Sequence, residues 1–145
     1  MTALNKKAKQ IIEKYEIHSC TDVTGFGLAG HSIEMAEGSG VTFELWMDRL
    51  PIQQAAVEYA QMGLIPAGAY RNRDFTAEKI ELGQTEEHLI DIFFDPQTSG
   101  GLLISAAPDV AEQIVREMEQ EGMATAFGII GRVTEKKEKY VRLLG

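Results

Sequence analysis

Thr21-Asp22-Val23-Thr24-Gly25-Phe26-Gly27-Leu28-Ala29-Gly30-His31 (TDVTGFGLAGH) decides how this chain is read. Its centre, Gly25 to Gly30, is a literal G-x-G-x-x-G. In a dinucleotide-binding unit such glycines join a buried parallel strand to a helix, and an acid about 20 residues on takes the ribose. The downstream half of that pattern is present, with a β-rich stretch at Val41–Met47 followed by Asp48. The upstream half is not. His18-Ser19-Cys20-Thr21-Asp22-Val23-Thr24 is mostly polar, whereas a strand covered on both faces reads as a nearly continuous apolar run. The sequence therefore weighs against the dinucleotide fingerprint.

A second reading takes the glycines as a tight turn with close helix packing. The open amides of a helix start also attract an anion. Asp22 beside them would repel a phosphate unless a divalent cation lies between the two. Mg²⁺ is commonly held by one or two carboxylates together with phosphate oxygens. Thr21-Asp22-Val23-Thr24-Gly25 thus suggests a Mg²⁺–phosphate corner. Equally, Asp22 or Thr24 reads as a plain helix cap. The residues alone leave those two roles open.

Outward from this stretch, Leu4, Ala8, Ile11, Ile12 and Tyr15 keep helical spacing and predict a helix over residues 3–16. Phe26, Ala29, Ile33 and Ala36 predict another over 25–37, stopped at Gly38. A strand is expected at Val41–Met47, and a helix from Pro51 to Met62. Ile65–Asn72 has no period and reads as a loop. Lys79–Leu82 suggests a short strand and Glu86–Phe94 a helix. Leu102–Ala106 reads as a buried strand, and Pro108 opens a helix closed by Gly122. Ala126–Val133 and Tyr140–Leu144 look like a hairpin, with Lys136-Lys137 at its tip. Elements alternate without regular βαβ units, which predicts a single α+β domain over 1–145 with helices packed on a mixed sheet.

Asp95-Pro96-Gln97-Thr98-Ser99-Gly100-Gly101 is a second glycine-hydroxyl cluster, readable as a turn or as another wall of an anion pocket. The 145 residues carry 22 acidic and 14 basic side chains, a net charge of −8. That surface repels nucleic-acid backbones. Cys20 is the only cysteine, so no internal disulfide forms. No apolar run approaches the about 20 residues needed to span a bilayer. The opening MTALNKKAKQ lacks a signal-peptide core. A cytoplasmic protein is expected. His31 reads as a structural hydrogen-bonding group, His18 and His88 as surface residues, and Trp46, Phe93 and Phe94 as core. Arg71 and Arg73 read as solvated loop charges. No His or Cys pair has zinc-ligand spacing.

Taken together, the two clusters resemble the signatures of the selenophosphate synthetase (selenide, water dikinase) family, which is similar to aminoimidazole ribonucleotide synthetase. The stretches Glu34–Gly40, Gly63-Leu64-Ile65-Pro66 and Tyr70-Arg71-Asn72 resemble it too, in order along essentially the whole chain. One departure is Ala67, where the family often has a second glycine. The resemblance implies a C-terminal domain of a two-domain enzyme, a three-layer α/β/α arrangement with a mixed sheet, partly like a ferredoxin fold. It implies an N-terminal domain, matched by none of these residues, that carries most of the ATP site, a reactive cysteine or selenocysteine, and a lysine. Cys20 is not that cysteine. The implied reaction makes selenophosphate, AMP and phosphate from selenide, ATP and water, with Mg²⁺ bridging the ATP phosphates.

On this resemblance Asp22 is the metal ligand. Thr21, Thr24, Gly25 and Gly27 face the phosphates from the first segment, and Thr98, Ser99 and Gly100 from the second. No catalytic residue is expected in this chain, and a homodimer is expected of the whole protein. A different class of function, a stand-alone anion- or nucleotide-binding module without catalysis, fits the residues alone.

Overall fold

The computed structural model describes residues 4–145. Residue 3, where the first helix was expected to begin, lies outside them. Helix α1 (Lys6–Ile12) is followed by strand β1 (Ile17–Asp22), α2 (Gly27–Gly38) and β2 (Val41–Trp46). Then come α3 (Gln54–Gln61), α4 (Ala67–Thr76), β3 (Ile80–Glu81) and α5 (Glu87–Phe93). The chain closes with β4 (Leu102–Ala106), α6 (Pro108–Gln120), β5 (Gly131–Glu135) and β6 (Val141–Leu144).

The strands form two sheets. β1 pairs antiparallel with β4, setting Asp22 opposite Leu102. The other sheet runs β3-β6-β2-β5, mixed in direction. β2 and β6 are its inner strands, with β2 antiparallel to β5 and parallel to β6. α2 touches both sheets, while α1 and α6 pack together over β4. The β1–β4 ribbon thus has helices on either side, and the four-stranded sheet lies beyond α2. The α+β class and mixed sheet follow the sequence reading.

Apolar side chains of β2 and β6 (Phe43, Leu45, Val141, Leu143) meet Ala29, Ile33 and Ala36 of α2 and Ile90, Phe93 and Phe94 from the α5 segment. Each large side chain buried here contributes on the order of 2 kcal/mol. A smaller core joins Ile11 and Ile12 of α1 to Ile114 and Met118 of α6.

Three expectations are corrected. Residues 17–22 form a strand after all. Its half-buried positions are Ile17, Ser19 and Thr21, so polar side chains occupy the inward face and hide the alternation. Residues 67–76 form helix α4, not a loop. Only Ala69 and Thr76 are buried there, and Thr76 Oγ1 donates back to Asn72 O at 2.7 Å.

Third, the expected terminal hairpin does not form, because β2 is inserted between β5 and β6. Thr42, Phe43, Glu44 and Leu45 are all buried, so β2 needs a hydrogen-bonded partner on each side. The crossing segment is pinned over β2 by Thr42 Oγ1. That hydroxyl donates to Lys139 O at 2.7 Å and accepts from Lys137 N at 2.8 Å.

On the side chains alternating with that core, Glu44 is 2% exposed. It accepts from Arg132 Nε at 2.8 Å, from Arg142 at 3.1 Å and from Lys137. Lys137 is therefore a partner of this buried carboxylate rather than a free hairpin tip.

Candidate functional site

The two glycine-hydroxyl segments meet. Val23 N donates to Gly101 O at 2.9 Å, Gly100 N to Val23 O at 3.0 Å, and Gln97 N to Thr24 O at 3.0 Å. These bonds continue the β1–β4 ribbon past its last paired residues. The end of β1, the 23–26 turn and the 95–101 loop therefore form one rim.

Glycine is required at two places on it. Gly27 has φ +69°, and a Cβ there would lie 2.9 Å from the backbone of Phe94 and Asp95. A Cβ on Gly100 would lie 2.5 Å from Val23 O. Both amides are also engaged, Gly27 N with Thr24 O at 3.0 Å and Gly100 N with Val23 O. Gly27 and Gly100 therefore serve the rim by close packing rather than by offering free N–H groups. The amides of Gly25 and Phe26 have no protein acceptor among the described residues. Both remain available to an anion.

Asp22 is exposed, and its carboxylate has no hydrogen bond or ion pair among the described residues. Neither it nor Thr24 caps α2, which starts without a side-chain cap. Thr24 Oγ1 instead lies 3.0 Å from His31 Nε2, and His31 Nδ1 lies 3.0 Å from Glu34 Oε2. His31 is buried, as a structural hydrogen-bonding group should be. Thr21 is half-buried and turns its hydroxyl to Asp22 O at 3.2 Å. Thr98 and Ser99 are exposed, with no side-chain hydrogen bond among the described residues.

Sequence reasoning missed Asn72. From α4 its Nδ2 donates to Gly25 O and to Phe94 O, both at 3.0 Å, tying the first loop to the end of α5. Only its place in a helix that aims at the rim reveals this, and no local pattern predicts that helix. Arg73, expected as a solvated loop charge, pairs with Glu87 and lies 4.0 Å from Asp91. Asp95 accepts from Gln97 Nε2 at 2.8 Å, and burial pushes its carboxyl above the ordinary range. Burial, and then the charge of Asp22, raise the Cys20 thiol, which disfavours the reactive thiolate.

The geometry also removes the dinucleotide reading, though not for the reason the polar upstream residues suggested. A strand does precede the glycines, but β1 and β2 lie in different sheets. The strand–helix–strand segment is thus not the parallel βαβ unit that the fingerprint requires.

Chemically, the rim offers one unpaired carboxylate, several hydroxyls and free amides. An oxygen donor of this kind fits Mg²⁺. Yet no three His, Cys, Asp or Glu side chains gather to hold a metal among the described residues. Asp22 alone is one such oxygen ligand and does not make a complete metal site.

A domain of this fold and rim defines the class. The chain belongs to the family described as AIR synthase related protein, C-terminal domain, whose model matches residues 1–143. Its curated relatives include the "Selenide, water dikinase" of Caldanaerobacter subterraneus subsp. tengcongensis, 49% identical over 98% of this chain and 42% of that protein. The protein of the same name from Clostridioides difficile is 47% identical over 99% of this chain and 41% of its own length. That from Treponema denticola is 44% identical, again over 99% and 41%. The chain thus spans about two fifths of the curated relatives it matches. None of the described helices is long and apolar enough to cross a membrane.

Proposed function

We propose that this chain is the C-terminal domain of a cytoplasmic, homodimeric selenide, water dikinase, and that it closes one side of a Mg²⁺–ATP phosphate site. An N-terminal domain would supply the remaining metal ligands, most of the nucleotide site and the reactive cysteine or selenocysteine. The observation that carries this reading is the junction of the two glycine-hydroxyl segments, with the unpaired Asp22 at its edge.

Phosphoryl transfer depends on positioning and charge neutralisation more than on protein nucleophiles. This domain's part follows from that. Asp22 would hold Mg²⁺, which neutralises charge on the phosphates when bound. Thr21, Thr24, Gly25, Thr98 and Ser99 line the mouth. The amides of Gly25 and Phe26 would meet phosphate oxygens. Gly27, Gly100 and Asn72 keep the two loops in register. Nothing here attacks or takes a proton, so the chain alone is expected to be inactive.

The test uses the full-length protein. It should convert ATP to AMP and phosphate only when selenide is present, and Asp22→Asn should abolish most of that turnover. Turnover that ignores selenide, or that Asp22→Asn leaves intact, would contradict the reading.

A further inference from the structure

His31 is 7% exposed, and both ring nitrogens are engaged, Nε2 with Thr24 and Nδ1 with Glu34. An ionised carboxylate only accepts hydrogen bonds. In the neutral ring the single proton therefore sits on Nδ1, facing Glu34. Nε2 is then an acceptor, and the Thr24 hydroxyl must donate to it. A hydroxyl whose one proton is committed has only acceptor capacity left.

The glycine motif builds this arrangement. A Cβ on Gly30 would lie 2.5 Å from Phe26 Cβ, so only glycine lets Phe26 lie this close to α2. Phe26 then meets the His31 ring edge-on at 6.0 Å between centroids. The bare position, the aromatic cover and the histidine form one unit behind the 23–26 turn. Gly30 is thus explained by the ring's surroundings rather than by a phosphate.

We propose that His31 is a positioning residue for Thr24: through a ring whose tautomer Glu34 fixes, it accepts the hydrogen bond that the Thr24 hydroxyl donates, and so leaves Thr24 Oγ1 only acceptor capacity. This rests on the reading of the rim as a Mg²⁺–phosphate site. Phosphate oxygens are themselves acceptors and gain nothing from such an oxygen. Mg²⁺ sheds water reluctantly and keeps several molecules in its shell, each a strong donor. An acceptor-only Thr24 would therefore suit the cation side of the site, with Asp22 to hold the ion and Thr24 Oγ1 open to a donor such as water that Mg²⁺ retains. Thr21, Thr98 and Ser99 remain for the phosphates.

The direct test is the tautomer. In the full-length protein with ¹⁵N-labelled histidine, at about pH 8, above the usual imidazole range, His31 should show Nδ1 protonated and Nε2 bare. Glu34→Ala should bring the other tautomer into the mixture, and Thr24→Val should shift the Nε2 resonance. An Nε2–H or doubly protonated ring in the unaltered protein overturns the proposal.

A second measurement separates positioning from packing. At subsaturating Mg²⁺, Thr24→Val and His31→Ala should each slow turnover about tenfold, and the double variant should lose no more than either alone. Multiplying losses, about a hundredfold together, would overturn the proposal. If the unaltered protein shows no selenide-dependent turnover, the functional reading fails while the tautomer result still decides this inference.

Discussion

Glu44 on β2 meets Arg132, Lys137 and Arg142, whereas Asp22 at the end of β1 meets no cation among the described residues. Both are strand carboxylates in the first third of the chain, and the fold treats them in opposite ways. Glu44 is buried, so its charge must be paired. Its bonds to Lys137 and Arg132 hold the carboxyl down at about 2. Asp22 is solvated and unpaired, so the fold gains nothing from it. The contrast separates a charge that stabilises the domain from one available to something outside it.

Substitution should break the contrast in both directions. The largest expected effect is on turnover. Asp22→Asn in the full-length protein should slow selenide-dependent ATP turnover by at least about 100-fold, with the thermal midpoint unchanged. A drop in the midpoint of several degrees would make Asp22 a structural residue and erase the contrast.

Next in size is Glu44→Ala. It leaves three cations, each partly exposed, around an empty position, so water offsets part of the loss. Denaturant titration should show destabilisation of about 2 kcal/mol, with turnover per folded molecule unchanged. Acid sharpens the point. The folded pKa of Glu44, about 2, lies below its ordinary value of 4.5. A depressed carboxyl stabilises the fold above its unfolded pKa, and that contribution is lost as pH falls through the window from 4.5 towards 2. Glu44→Ala should flatten the acid limb of the stability curve in that window. An unchanged limb would mean that the cations do not hold Glu44 as the geometry indicates.

Asn72→Ala removes two hydrogen bonds that join the loops, and should cost about 1 kcal/mol. Turnover should fall further than the folded fraction does, because the rim loosens. The smallest signal is expected from the 145-residue chain alone. One carboxylate without its co-ligands should give no heat with Mg²⁺–ATP at micromolar concentrations, and tight binding would shift the whole site onto this domain.

How much of this was legible in the sequence differs between the same two regions. Two core elements announced themselves. Val41–Trp46 of the main core is rich in β-formers, and α6 of the smaller core carries Ile114 and Met118 behind Pro108. Their pairing did not, because β2 enters between β5 and β6 by a contact remote in sequence. The side chain that pins the crossing segment, Thr42, is buried and looks like any strand threonine.

Around Asp22, both segments were visible as glycine-hydroxyl clusters, but their hydrogen bonds to each other depend on the β1–β4 register. β1 was invisible because Ser19 and Thr21 occupy its inward face. Asn72 was invisible because α4 lacks an apolar stripe. The sequence left the first cluster's glycines open between close packing and a phosphate wall; what it did not name is the neighbour, which is Phe94 for Gly27, Phe26 for Gly30 and Val23 for Gly100. Glycine reports closeness in a sequence without naming what comes close.

The central claim, that Asp22 grips magnesium together with the nucleotide, is tested most directly by the metal dependence of the full-length protein. With ATP saturating, the Mg²⁺ concentration for half-maximal turnover should rise at least about tenfold in Asp22→Asn. An unchanged Mg²⁺ midpoint, whatever the maximal rate, would contradict the account.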